Sequence, residues 1–249
     1  MHRLFLSLAA CALLTVAVAA ADVWETAKPF IEWSDKELEK VMTDSPWAGK
    51  GSLTHARAGA GLGPVPDWKL IVAVRSALPM KQALVREDVG AGGTVRPEHE
   101  QLLGAPEQAY VISISGIPQA LGPQLQATAD QAQLRRKDKD PIMAMQASVI
   151  MIGKDGRPVA MAPPPSPRPQ IVLVQRGGGG GRGGGGFGSV GAAPRDDSGI
   201  TVTLLLAFPK DDPITADDRE FEFGSVIGTY NVKRTFKLKD MTFGGELAL

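Results

Sequence analysis

YNVKRTFKLK, at residues 230–239, is the clearest β pattern in the chain. Its apolar and polar residues alternate, which is the two-residue period of a strand with one buried face, although Arg234 interrupts the apolar side. The preceding segment, residues 219–225, alternates two phenylalanines with glutamates. The two segments therefore predict neighbouring strands whose glutamates and lysines lie opposite one another.

Upstream of this pair, the patterns predict more strands and a few helices. Alternating apolar residues predict strands at 68–75, 110–115 and 200–208. Asp155-Gly156 between two apolar runs predicts a hairpin turn. Ser34 and Glu37 have the spacing of a capping box at the start of a helix. The predicted fold class is therefore α+β, with a mainly antiparallel β-sheet and a few short helices.

The chain divides into an N-terminal segment and one larger domain. Residues 22–52 hold three of the four tryptophans beside an apolar helix face, and we expect them to pack on the main body. Residues 53–249 form a single α+β domain in this interpretation. It carries a low-complexity, glycine-rich insert at 162–199, predicted to be disordered except for a short apolar strand at 171–174.

The first 21 residues have the pattern of a secretory signal peptide. Met1-His2-Arg3 is basic, residues 4–18 are almost wholly apolar, and Ala19-Ala20-Ala21 supplies the small residues that signal peptidase needs. We therefore expect a secreted or periplasmic protein. No later apolar run approaches the roughly 20 residues of a membrane-spanning helix, so no transmembrane span is expected in the mature chain.

Cys11 is the single cysteine and lies inside the predicted signal, so the mature chain would form no disulfide. Leu8-Ala9-Ala10-Cys11 also looks like a bacterial lipobox. The alternative is therefore a protein anchored to the membrane by a lipid on Cys11. Against it, the apolar stretch continues to Ala21, whereas a lipoprotein usually becomes polar soon after its cysteine.

The charge balance and the histidines exclude several function classes. Lysines and arginines number 27, as do the acidic residues, so no net charge favours nucleic acid. His55 and His99 have no second histidine or carboxylate at a metal-ligand spacing. His99 is expected to be solvated, and Ser113-Ile114-Ser115-Gly116 lacks the leading glycine of a nucleophile elbow. We predict neither catalytic residues nor a cofactor.

The densest acidic cluster lies at residues 211–220. Calcium favours several carboxylates on a loop, which makes weak candidate ligands of Asp211, Asp212, Asp217, Asp218 and Glu220. Their spacing differs from an EF-hand, and no glycine occupies the turn position. Thr215, as the cap of a single helical turn with Asp218 three residues later, accounts for the same residues without a metal.

Three sequence motifs together resemble one group of proteins. They are Trp24-x-x-x-Lys28-Pro29-Phe30-x-Glu32-Trp33-Ser34 followed by Asp44-Ser45-Pro46-Trp47, then Ser76-Ala77-Leu78-Pro79, and Phe236-Lys237-Leu238-Lys239-Asp240-Met241. The group consists of uncharacterised exported proteins of acidobacterial type. It carries no assigned activity, so the resemblance implies export and transfers no functional residue.

Two functions remain open at this stage. The first is a non-enzymatic binding or structural module of the cell envelope, whose partner would be an envelope protein or a polysaccharide. The second is a carboxylate-dependent hydrolase, for example one acting on glycans, because two carboxylates brought together by folding leave no sequence motif. Sparse aromatic residues beyond the N-terminal segment count against a glycan-binding cleft.

Overall fold

The computed structural model describes residues 22–26, 28–57, 62–105, 107–144, 146–150, 172–176 and 201–249. The predicted signal peptide with Cys11, the Asp155-Gly156 turn and most of the insert at 162–199 lie outside these residues. Within them, no helix is long and apolar enough to cross a membrane.

The described chain contains α-helices, short 3-10 segments of one or two turns, and strands. The helices are α1 (Asp35–Thr43), α2 (Leu78–Val89), α3 (Pro97–Gly104) and α4 (Leu125–Asp130). The 3-10 turns are Val23–Glu25, Phe30–Glu32, Gln119–Gln124, Ala216–Asp218 and Leu238–Asp240. The strands are β1 (Ala48–Lys50), β2 (Ser52–His55), β3 (Ile71–Val74), β4 (Ala109–Pro118), β5 (Gln133–Arg136), β6 (Ile142–Met143), β7 (Gln146–Ile150), β8 (Val172–Arg176), β9 (Thr201–Pro209), β10 (Glu220–Ile227), β11 (Tyr230–Lys237), β12 (Thr242–Phe243) and β13 (Glu246–Leu247).

These strands form two main sheets and a small hairpin. One sheet has the order β1-β3-β4-β9-β7-β8, the other β2-β11-β10-β5-β6, and β12 pairs with β13. All pairings are antiparallel except β7 with β8. The α+β class with a mainly antiparallel sheet is therefore confirmed. The short strand predicted within the insert is present as β8.

The predicted pairing at the C-terminal end is also present. β10 and β11 form a hairpin, and Lys233 Nζ lies 3.0 Å from a Glu222 carboxylate oxygen on the outer face. The inner face carries the apolar side chains of both strands. The Phe223 ring makes an edge-to-face contact with the ring of Phe208 in the other sheet, with ring centres 6.3 Å apart. The hydrophobic core thus lies between the two sheets.

Arg234 interrupts the apolar face of β11 because it supports a crossing chain. Its guanidinium stacks over Phe236 at 5.0 Å and donates to the carbonyl oxygens of Lys50 (3.3 Å) and Ser45 (3.4 Å). A methyl group on Gly49 would overlap this guanidinium. A side chain at residue 49 would therefore require the Arg234 guanidinium to move from its position under β1.

The three N-terminal tryptophans belong to the core. Trp24, Trp33 and Trp47 are 7%, 1% and 0% exposed. Trp47 Nε1 donates to the Ala248 carbonyl at 2.7 Å, which ties the N-terminal segment to the end of the β12–β13 hairpin. These rings are accordingly not a surface platform for an aromatic ligand.

The capping box predicted for α1 is present. Glu37 N–H donates to Ser34 Oγ at 3.3 Å, and Ser34 N–H donates to the Glu37 carboxylate at 2.7 Å. Lys28 Nζ also donates to that carboxylate at 2.7 Å. The bond from Lys28, followed by those from Ser34, lowers the pKa of Glu37 from 4.5 to about 2.

Glu37→Gln is expected to lower the free energy of unfolding by about 1 kcal/mol at neutral pH, the usual size of a cap on a partly solvated helix end. Because the pKa of Glu37 is lowered on folding, its stabilisation is full above 4.5 and is lost as the pH falls toward about 2. Urea denaturation at neutral pH and near the lowered pKa of Glu37 measures the difference in free energy of unfolding between wild type and variant. A gap that stays constant across this range would contradict the assignment.

Candidate functional site

Strands β1 and β2 form one extended chain that belongs to both sheets. Its first half pairs with β3, and this ladder ends where Gly51 N–H donates to the Leu70 carbonyl at 3.0 Å. Its second half pairs with β11 on the opposite edge, ending where Ala56 N–H donates to the Thr229 carbonyl at 2.8 Å. The chain therefore changes partner near Gly51.

The segment leading into β3 turns away from this chain. Leu70 N–H donates to the Trp68 carbonyl at 2.9 Å, a tight turn that ends the strand pattern. The observed strand β3 therefore begins at Ile71, three residues later than the strand predicted at 68–75. The turn opens a gap that we name the Trp68 groove, lined by Lys50, Gly51, Leu53 and residues 65–70.

The Trp68 groove has a volume of about 230 Å³. Pockets that enclose a whole small molecule usually measure roughly 300–1,000 Å³. The groove is therefore suited to one group of a longer partner rather than to a complete small ligand.

An aromatic cluster fixes the wall of this groove. Trp68 meets Tyr230 edge to face with ring centres 5.2 Å apart, and Tyr230 lies 5.3 Å from the His55 ring. His55 Nε2 is 2.9 Å from the Gly63 carbonyl oxygen. Trp68 is thereby held in place while part of its surface stays accessible, unlike the other three tryptophans.

Charged and apolar side chains surround the groove. Lys50, Lys69 and Asp67 are exposed, and none of them forms an ion pair with another of the described residues. Val65 and Leu62 are 40% and 47% exposed on the same segment. The rim thus combines two cations and one carboxylate with exposed apolar surface.

Sequence reasoning missed this site because it assigned Trp68 to a strand and Tyr230 to a sheet face. One signal was present: Pro64 and Pro66 lie four and two residues before Trp68, and proline is unfavourable within a paired strand. The meeting of Trp68 with Tyr230 depends on pairings between distant segments, and no local pattern predicts it.

The structure does not gather the five calcium candidates around one position. Asp212 pairs with the buried Arg136, and Asp218 lies 2.7 Å from Lys139 Nζ. The other three, Asp211, Asp217 and Glu220, are exposed. Among the described residues, no group of three or more acidic, histidine or cysteine side chains is arranged to hold a metal ion.

The capping explanation of this loop is confirmed. Thr215 N–H donates to the Asp218 carboxylate at 2.8 Å, within a capping box on the 3-10 turn. Burial raises the pKa of Asp218, but the bonds from Lys139 and Thr215 outweigh it and the net pKa is lowered. The hydrogen bond from Arg136 lowers the pKa of Asp212 in the same direction.

We expect millimolar calcium to leave the melting temperature of residues 22–249 unchanged. A cation at this loop would have to displace Arg136 or Lys139 from Asp212 or Asp218. Differential scanning fluorimetry with calcium, and with magnesium as control, measures this. A rise specific to calcium would restore the candidate ligands, because a metal bound to the folded state raises its stability.

His99 is buried and not solvated, which corrects the expectation from sequence. It is 7% exposed, its Nδ1 accepts the Arg96 backbone N–H at 3.2 Å, and its Nε2 lies 3.0 Å from an Asp88 carboxylate oxygen. Nδ1 therefore caps the start of α3 and Nε2 links α3 to α2, so both ring nitrogens are engaged. A general base needs a free nitrogen directed at a substrate, which this arrangement does not provide.

The hydroxyl group of Ser113 is likewise engaged in a hydrogen bond. Its side chain is fully buried on β4, and its Oγ accepts a hydrogen bond from Arg75 Nε at 3.0 Å. Cys11, the candidate for lipidation, lies outside the described residues.

Compared with protein-family models, curated proteins and solved structures, the chain shows no match.

Proposed function

We propose that this protein is a non-enzymatic binding module that acts outside the cytoplasm and holds a partner of the cell envelope in the Trp68 groove. The observation that carries the proposal is a partly accessible tryptophan, fixed by Tyr230, between two lysines that form no ion pair with any described residue. The pattern of residues 1–21 supports export.

Three carboxyl groups of the described residues are unsuited to act as the general acid of a hydrolase. Glycoside hydrolysis needs a general acid whose pKa is raised toward neutrality. The described carboxyl groups with displaced pKa values are Glu37, Asp212 and Asp218, and all three are lowered. Each is bound to a lysine or an arginine, so none supplies the proton donor of the hydrolase alternative.

A photo-cross-linking residue placed at Val65 tests the proposal in cells that export the protein. Val65 is 40% exposed at the groove rim, and Met143 on β6 is a matched control at 44%. We expect one reproducible adduct from Val65 and none from Met143, with the partner recovered at its intact mass. Adducts from both positions or from neither would contradict a binding site at the groove, and a cleaved partner would favour the hydrolase.

A further inference from the structure

The backbone of Leu53 faces the Trp68 groove. Ala56 N–H bonds to Thr229, and hydrogen-bonded pairs recur at every second residue of an antiparallel ladder. The register then makes Thr54 and Ser52 hydrogen-bonded partners of β11, whereas Leu53 turns its N–H and carbonyl to the opposite edge. That edge is the one along which the groove opens.

The same edge still pairs with β3 two residues earlier along the chain. Gly51 bonds to Leu70 across it, and a continued ladder would place Leu53 opposite Trp68. The turn at Trp68–Leu70 prevents this, so the ladder stops with the Leu53 backbone groups facing the gap. Exposed backbone groups at a strand edge form a template for an added strand.

From this geometry we propose that the groove binds an extended acidic peptide segment, which adds to β2 as a strand through the Leu53 backbone. The proposal rests on the proposed function, since it names the partner class of the same groove. Backbone hydrogen bonds give affinity in this mode of recognition, while pockets for alternate side chains give specificity.

The side chains around the groove fit such a peptide. In an added strand every second residue faces the same way, so apolar residues on one side would contact Trp68 and Val65. Lys50 and Lys69 lie on the two walls of the groove and have no ion-pair partner among the described residues. Asp67 is the one carboxylate among these lining residues, so the two lysines leave the groove with a net positive charge that acidic residues of the peptide would complement.

Fluorescence anisotropy of the purified exported protein tests this inference with a labelled ten-residue peptide that alternates valine and glutamate. A second peptide carries N-methyl groups at alternate residues, and a third replaces glutamate with lysine. We expect the first to bind and both others to bind at least about tenfold more weakly, which corresponds to 1.4 kcal/mol. Equal binding of the N-methylated peptide would overturn strand addition.

Variants of the protein give an independent test. Leu53→Pro removes the N–H that faces the groove and leaves the bonds to β11 in place, so we expect the same loss of affinity. Lys237→Glu, on the exposed outer face of β11, is the control and should retain binding. If Leu53→Pro fails to fold, the comparison of the parent and N-methylated peptides still decides the proposal.

An acidic polysaccharide, polygalacturonate, separates this inference from the proposed function. Binding of polygalacturonate that is lost in Trp68→Ala, without binding of the valine–glutamate peptide, would overturn the peptide proposal and keep the groove as a binding site. Absence of binding to either probe, together with no adduct at Val65, would overturn both.

Discussion

Gly116→Ala is expected to lower the free energy of unfolding by about 3 kcal/mol and to distort the Trp68 groove. Gly116 has a φ of +83°, which side-chain-bearing residues rarely adopt, and an added methyl group would overlap the Lys69 carbonyl oxygen. It lies where the pairing of β4 with β9 shifts between Ile114 and Ile117. A larger residue must push away the segment that forms one wall of the groove.

Gly224→Ala is the matched control, because Gly224 lies in β10 with an ordinary φ and open space around its Cα. Adding a methyl group there should leave stability unchanged or slightly raise it. Urea denaturation followed by tryptophan fluorescence measures both variants. Equal stabilities of the two would contradict the role assigned to Gly116.

Trp47→Ala is expected to cost about 3–5 kcal/mol, as for other large aromatic residues removed from a core. Trp47 is fully buried and meets Trp24 and Phe243 edge to face, with ring centres 6.2 and 6.5 Å away. Its loss also leaves the Ala248 carbonyl without the indole donor. The N-terminal segment and the β12–β13 hairpin should therefore loosen together.

Trp68→Ala provides the comparison, because Trp68 is only partly buried, packing at the margin of the core and meeting Tyr230 edge to face. We expect it to lose clearly less stability than Trp47→Ala in the same denaturation experiment. A comparable loss would mean that Trp68 is a core residue and would remove it as the centre of a binding site.

Local patterns predicted those parts of the structure that local interactions determine. The β10–β11 hairpin follows from alternating residues, and the caps at Ser34 and Thr215 follow from side chains that reach backbone three residues away. The burial of the N-terminal tryptophans also followed from composition and spacing.

Contacts between distant segments were beyond sequence reasoning. Arg234 appeared to break an apolar face, yet its partners are the carbonyls of Ser45 and Lys50 at the far end of the chain. The buried His99 has as its partner Asp88, which lies on another helix. The groove itself depends on a change of strand partner near Gly51. The chain pairs with β3 before this point and with β11 after it, and both partners are distant in sequence.

The most direct test of the binding site combines the photo-cross-linker at Val65 with Trp68→Ala in intact cells. Trp68 forms the wall of the groove, and Val65 is exposed on its rim. The proposed function predicts that the adduct formed from Val65 when Trp68 is present disappears in Trp68→Ala. The amount of folded, exported protein should stay the same. An adduct of undiminished yield without Trp68 would contradict the groove as the binding site.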